Sequence, residues 1–404
     1  MGEGVGHHRP AGAFHQRVVA HRGSGIDRLV DVALLDGAEL LAGLPRPDPG
    51  IAIRLQFGGD RQPVRIALAQ LNPKVGDLSG NLALARKALD DARAARADIL
   101  IENFRPGTME RWGLGYEELS AINPRLIMVR VSGYGQTGPY SQRAGYGAIG
   151  EAMGGLRYVI GDPSTPPSRA GIAIGDTLAA MHAAFGAVMA VNARHRTGRG
   201  QVVDSAIYEA VLNFMESIVI EYDKTGYIRE RTGPILPNIS PSNVYPTADG
   251  QQILIGANQD TVFKRLAKAM GQPELGDDPR YATHGARGQH QQELDEIIAR
   301  WTATVNATEL LDLLEESGVP SGRIYRAPEM LEDAHFKARN AIVRLMHPEF
   351  GEVAMQNVAP RLSDTPGSVR HCGPELGQHT EEILTGELGY STEKIATLRQ
   401  AGIV

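Results

Sequence analysis

Two apolar runs and the stretch between them constrain the fold more than any other part of this sequence. Asp98 to Glu102 reads as a short buried strand, and Asn103-Phe104-Arg105-Pro106-Gly107 stops it, since proline cannot donate to a ladder and glycine opens a turn. A helical patch with Met109, Trp112, Tyr116 and Leu119 follows, and Leu126-Ile127-Met128-Val129-Arg130-Val131-Ser132 reads as a second buried strand. Strand, helix and strand at this spacing make a βαβ unit with parallel strands covered by the helix. The fold class that follows is α/β.

The second strand runs into Gly133-Tyr134-Gly135-Gln136-Thr137-Gly138-Pro139, a glycine loop that lets backbone N–H groups approach a ligand. It matches neither GxGxxG nor a P-loop, so it is a weak phosphate signature. Further on, Arg169-Ala170-Gly171-Ile172-Ala173-Ile174-Gly175-Asp176-Thr177 places a carboxylate where a strand meets a helix. Ile172 and Ile174 alternate with small residues, while Leu178, Met181, Phe185, Val188 and Met189 recur at helical spacing, which predicts that Asp176 is the N-cap. Open α/β sheets bind ligands beyond the carboxyl ends of their strands. The Asn103 loop, the glycine loop and Asp176 are all expected there, which makes Asp176 a candidate for chemistry as well as a cap.

After that helix, Arg194-His195-Arg196-Thr197-Gly198-Arg199-Gly200 has the basic last turn and glycine stop that a helix C-terminus favours. Gln201 to Asp204 resumes a strand, and Ala206 to Ile220 reads as one more apolar helix. Residues 221–242 form a linker, and residues 243–335 read as a smaller α+β domain with a strand at Ile253 to Gly256 and helices near 260–270, 291–303 and 307–316. Residues 336–404 return to the large domain, through strand-like sequence at 341–362 and a helical tail from Glu381. The large domain itself covers residues 97–220.

Composition excludes several classes. With 404 residues, 42% hydrophobic and 22% charged, the chain has enough apolar content for two cores. A net charge of -6 gives no general attraction to nucleic acid or anionic membrane, so a polyanionic ligand needs a local basic site. The single cysteine, Cys372, permits neither an internal disulfide nor a cysteine metal site. No segment reads as a membrane span or a signal peptide, and a cytoplasmic location is expected.

The first 96 residues have a different texture. Residues 1–63 carry His7, His8, His15 and His21 without Cys, Asp or Glu at ligand spacing, so no metal is expected there; a disordered arm is, with one weak helical patch from Leu29 to Leu44. Val64 to Leu71 reads as a buried strand and Asn81 to Ala97 as an amphipathic helix. Arg65-Ile66-Ala67-Leu68-Ala69-Gln70-Leu71-Asn72-Pro73, Val75-Gly76-Asp77 and Gly80-Asn81 make residues 64–99 resemble the opening of the nitrilase-type domain of glutamine-dependent NAD synthetases. That family's Glu, Lys and Cys motifs have no counterpart, so amidase chemistry is not implied.

From Ala97 onward, six motifs occur in order: Ile101-Glu102-Asn103-Phe104-Arg105-Pro106-Gly107-Thr108-Met109-Glu110-Arg111, Ser132 to Pro139, Gly175-Asp176, Arg196-Thr197-Gly198-Arg199-Gly200-Gln201, Gly318-Val319-Pro320-Ser321-Gly322 and Leu376-Gly377-Gln378-His379-Thr380. With them the chain resembles the class III CoA-transferases, the CaiB/BaiF family, which includes formyl-CoA transferase and the α-methylacyl-CoA racemases. The resemblance implies a Rossmann-like large domain, a small domain joined by two linkers, and two chains interlocked as a homodimer. It implies acyl-CoA and a carboxylic acid as substrates, succinyl-CoA being one donor, with no permanently bound cofactor. It assigns Asp176 the catalytic aspartate, and Asn103, Phe104, Arg105, Arg111 and Arg143 the CoA contacts. A free aspartate has a pKa of about 3.9 and needs no base to attack a thioester near neutrality.

Three departures accompany the resemblance. Asn238-Ile239-Ser240-Pro241-Ser242 falls where formyl-CoA transferase has a glycine-rich loop, and the glycines are missing. Racemases carry a His-Asp step after the glycine loop, where this chain has Tyr146-Gly147; His182 reads as an ordinary, partly buried histidine, so transferase is favoured over racemase. Residues 1–96 replace the family's first strand–helix lobe and its CoA contacts, which predicts a chimera. A catalytically impaired remnant is the alternative to a working transferase.

Overall fold

The computed structural model describes residues 98–375, 377–386 and 389–401, together with the backbone of two strands at 51–55 and 64–68. The expected N-terminal arm, the Leu29–Leu44 patch, the Asn81–Ala97 helix and Leu376 lie outside the described residues. The chain divides into two compact units. The first takes residues up to Gly154, Ala173–Phe214 and Ala341–Val404; the second takes Gly155–Ile172 and Met215–Asn340.

In chain order the elements are β1 (Ile51–Leu55), β2 (Val64–Leu68), β3 (Ile99–Glu102), α1 (Thr108–Arg111), α2 (Tyr116–Ile122), β4 (Ile127–Ser132) and α3 (Gly147–Met153). Then come α4 (Leu156–Val159), α5 (Ile174–Thr197), β5 (Val202–Ala206), α6 (Ile207–Leu212) and α7 (Ile218–Thr225). The second unit continues with β6 (Ser242–Pro246), β7 (Gln252–Gly256), α8 (Asp260–Ala269), α9 (His284–Gln289), α10 (Gln291–Thr302), α11 (Ala307–Glu316), β8 (Ser321–Arg323), α12 (Ala327–Glu332) and α13 (Ala334–Ala338). The hairpin β9 (Ile342–His347) and β10 (Gly351–Gln356) and the helices α14 (Thr380–Gly386) and α15 (Thr392–Gln400) belong to the first unit.

The first unit is built on a sheet of order β1-β2-β3-β4-β5, parallel from β2 to β5 with β1 antiparallel at the edge. Ile127, Met128, Val129 and Val131 are buried, as expected of a strand covered on both faces. Leu100 and Met128 pack with Met109, Leu114, Leu119 and Leu126 under α1 and α2. The expected single helical patch is two helices, because Gly113 takes a left-handed φ of 71° between them. The strands follow sequence order, so no order reversal falls within the described sheet.

Two elements differ from expectation around Asp176. No strand forms at Ile172–Ile174: Ile172 is exposed and α5 already begins at Ile174, with Ala173 as N-cap. Asp176 is therefore the third residue of the first turn and not the cap. The expected apolar stripe also divides: Leu178 is buried with Ala179, Ala183 and Ala190, while Met181, Phe185, Val188 and Met189 are exposed. Small residues face the sheet because α5 lies close to β5; a Cβ on Gly186 would stand 2.6 Å from Val203 Cγ1. By length and composition α5 is apolar enough to cross a membrane, a departure from the expectation that no segment is. The expected Ala206–Ile220 helix is interrupted between α6 and α7, where Glu216 adopts a φ of 52°.

The second unit places the antiparallel sheet β6-β7-β8 against α8, α10 and α11. Ile253, Ile255, Phe263, Leu266, Leu294, Ile298, Leu310 and Leu314 are fully buried there. The helix α11 stops at Gly318, whose φ of 65° lies in the left-handed region that favours glycine. The segment that lacks the glycines is tied down from within this unit. Arg287, fully buried, donates from Nε to Ser240 O at 3.1 Å, and Gln291 accepts from Asn238 N at 3.2 Å and donates to Ile239 O at 3.2 Å.

Candidate active site

The site is assembled by α5 and by the loops that follow β3 and β4. At its far end α5 is anchored by Arg194, which is buried and meets Asp98 Oδ1 at 3.1 Å and Arg125 O at 3.0 Å, both just ahead of strands β3 and β4. A helix anchored at the amino ends of the strands carries its own N-terminus to their carboxyl ends. The half-buried Asp176 thus stands where the β3 and β4 loops emerge.

Glycines bring these segments together. A Cβ on Gly133, just past β4, would lie 2.9 Å from Gly145 Cα. Two residues on, at the start of α3, a Cβ on Gly147 would lie 2.3 Å from Asp176 Oδ2 and 2.6 Å from its Oδ1. The Asp176 carboxylate therefore rests on the bare Cα of Gly147. Gly150 and Gly154 meet Ile207 and Val211 of α6 in the same way, at 2.4 Å and 2.6 Å, which locks α3 in place. Gly147→Ala is expected to push the carboxylate aside and lower any turnover that depends on it by about 100-fold, the cost of roughly 1 Å of misplacement, without unfolding the protein. Steady-state kinetics beside a thermal melt would check it.

The loop after β3 carries most of the residues proposed for nucleotide contact. Asn103, Arg105 and Arg111 are exposed, and Phe104 is half-buried with its ring edge-on to Trp112 at 5.2 Å. Arg111 donates to Thr108 Oγ1 at 2.9 Å. Arg143 is exposed in the loop before α3, its guanidinium 3.7 Å from the centre of the Tyr140 ring. Its neighbour Gln142 donates to Pro106 O at 3.2 Å and so joins the two loops. The glycine loop is held by Gly135 N donating to Ser132 Oγ and Gln136 N donating to Asp204 Oδ2, at 3.0 Å and 2.9 Å. All five contact residues and Asp176 belong to the first unit.

Beneath the β3 loop lies a charged cluster that motif reading missed. Glu102 and Arg130 face each other across β3 and β4, both buried. Arg130 donates from Nε to Glu102 Oε1 at 2.5 Å and from Nη1 to Glu110 Oε1 at 2.6 Å. The second oxygen of Glu102 accepts from Phe104 N at 2.7 Å, which fixes the first turn of the loop. Burial pushes the Glu102 carboxyl above its ordinary value against the pull of Arg130, while the hydrogen bond from Arg130 holds Glu110 below its own. The signal was in the sequence: an arginine inside a buried strand needs a partner.

His182 is half-buried, with Nδ1 2.9 Å from Leu178 O and its ring edge-on to Phe214 at 5.8 Å. It is satisfied inside the fold. Gly147 leaves no room for the side chain a racemase-type His-Asp step would place there.

Comparison with known proteins bears directly on this arrangement. The model of CoA-transferase family III matches residues 86–380, beginning ahead of Ala97 and spanning every motif but the N-terminal nitrilase-like one. The chain is 58% identical over 318 residues, 79% of each protein, to succinyl-CoA–D-citramalate CoA-transferase of Chloroflexus aurantiacus. It is 34% identical over 312 residues, 77% of this chain and 71% of the relative, to succinyl-CoA:glutarate CoA-transferase of Mus musculus. A solved CaiB/BaiF family protein from Brucella suis superposes with a TM-score of 0.64 at 31% identity, covering 74% of this chain and 78% of that one. The Asp176 carboxylate at a helix start beside two strand-end loops, and this span of matched sequence, lead to one conclusion: the chain belongs to CoA-transferase family III and is an enzyme that transfers CoA between carboxylic acids.

Proposed function

We propose that the enzyme takes CoA from succinyl-CoA and passes it to a dicarboxylic acid bearing a hydroxyl group, through a thioester on Asp176. The observation that carries this is the Asp176 carboxylate in the first turn of α5, resting on Gly147 beside the joined β3 and β4 loops. The donor and acceptor class follow the succinyl-CoA–D-citramalate relative. Asp176 attacks the thioester carbonyl and expels CoA thiolate, giving a mixed anhydride. The thiolate then attacks the aspartyl carbonyl and releases succinate. The acceptor carboxylate reverses the two steps, and no net proton moves. The positive end of α5 stabilises the oxyanion formed at each addition.

In this reading Asn103, Phe104, Arg105, Arg111 and Arg143 hold the nucleotide and pantetheine, with arginines as phosphate partners in an acidic protein. The parallel pairing of β2 with β3 supports reading the large unit as a Rossmann-like sheet. The enzyme is cytoplasmic, as its single cysteine suggests. It works as an interlocked homodimer, supported by the exposed apolar face of α5, where Met181, Phe185 and Val188 are at least 60% open to solvent. Phe185→Asp is expected to shift the dimer toward monomer in sedimentation experiments, whereas an unchanged dimer would remove this face from the interface.

The test of the function is incubation with succinyl-CoA and a panel of carboxylic acids, followed by chromatography of the acyl-CoA products. Formation of citramalyl-CoA or a close hydroxy-acyl analogue, with equal release of succinate, is expected. Absence of any transfer by a folded dimer would favour an impaired remnant.

A further inference from the structure

We propose that Glu151 is a positioning residue for this reaction: from the neighbouring helix α3 its carboxylate caps the first turn of α5 and so fixes the place of Asp176. The proposal rests on the reading of Asp176 as the nucleophile. The first N–H groups of a helix have no partner within it, and the residue at the start of α5, Ala173, has no side-chain acceptor to offer. Gly175 is buried, so water is a poor substitute. Glu151 Oε1 lies 3.4 Å from Gly175 N, at the long end of hydrogen-bond range. Only 1% of Glu151 is exposed, and a glutamate is rarely kept so deep unless its oxygens serve a donor.

The two helices are also fitted to each other at this point. A Cβ on Gly175 would stand 2.9 Å from Gly147 O and 3.1 Å from Glu151 Cγ, so only glycine lets the Glu151 stem pass beneath α5. One helical turn separates Gly147 from Glu151 on α3. Consecutive residues of α5 are thus held by one face of α3: Gly175 by Glu151 and Asp176 by Gly147. An anion at the positive end of α5 is favoured in its own right. Glu151 touches the residue before the nucleophile and not the substrate, so its effect is on the geometry of attack.

Glu151→Gln keeps the length and a carbonyl oxygen for the Gly175 N–H, whereas Glu151→Leu keeps bulk without an acceptor. We expect E151Q to retain kcat within about threefold and E151L to lose about 30- to 100-fold, with KM for succinyl-CoA nearly unchanged. Amide exchange at residues 174–177 should quicken in E151L and not in E151Q. Equal loss in both variants, an unchanged kcat in E151L, or a loss confined to KM would each overturn the proposal. If E151L does not fold, E151Q decides: a retained kcat with a protected Gly175 amide supports the cap, and a loss beyond about tenfold overturns it. The hydroxylamine-labile CoA adduct of the wild-type enzyme is measured alongside. Its absence would count against Asp176 as nucleophile, while its presence with unaffected variants would count against Glu151 alone.

Discussion

Asp176→Ala is expected to lower CoA transfer by about 10⁴-fold or more while leaving CoA affinity within a few-fold, because on the proposed mechanism it removes the group that makes or breaks a covalent bond in every step. Mass spectrometry after incubation with succinyl-CoA should show a CoA-sized adduct on wild-type enzyme, lost on treatment with hydroxylamine and absent from the variant. Asp176→Asn tests geometry against chemistry. It fills the space over Gly147 with nearly the same shape, yet an amide is a poor nucleophile, so turnover should fall as far as in the alanine variant. A variant that still transfers CoA at more than a few per cent of wild-type rate would show that the carboxylate acts as a first-turn anion and not as the nucleophile.

Arg130→Met should have the largest effect on stability. Its side chain lies between Glu102, which is buried, and Glu110, which is partly exposed. Removing the arginine leaves the Glu102 carboxylate in the sheet without its counter-ion, a loss of about 3–5 kcal/mol for a broken buried pair. Part of that is recovered by protonation, the direction in which burial already pushes Glu102. Denaturant unfolding would measure the loss. Because Glu102 also accepts from Phe104 N, the loop bearing Asn103 and Arg105 should loosen, and the Kd for CoA should rise in the same variant.

Glu110 behaves in the opposite sense. Its folded carboxyl is held below its unfolded value by Arg130, so its stabilisation is present above the unfolded pKa and fades as pH falls through the folded one. Being partly exposed, it contributes under about 1 kcal/mol. Wild type and Glu110→Gln should therefore differ in stability at neutral pH and converge in acid. A difference that grows on acidification would reverse the assignment.

Periodicity alone gave the βαβ unit, the strand at Ile253 and the helices at 260, 291 and 307, since each is decided by local apolar spacing, in most cases with a glycine or proline near its end. The motifs placed Asp176 and the Asn103 loop on the same side of the sheet for the same local reason: each follows a strand or opens a helix. What lies between those segments depended on distance in space. Gly147 is an unremarkable glycine until Asp176, 29 residues later, is seen resting on it. Glu151 reads as a polar residue on a short helix until the buried Gly175 amide is found beside it. The α5 pattern set Leu178, Met181, Phe185 and Val188 on one apolar stripe, but only Leu178 of these is buried, and the close approach to β5 is made chiefly through alanine and glycine. The sequence by itself determined the family and most of the elements, and it singled out Asp176 as the candidate carboxylate, because these are written in neighbouring residues. The tertiary structure alone decided which groups hold that carboxylate in place, because packing and hydrogen bonding join residues that the chain keeps apart.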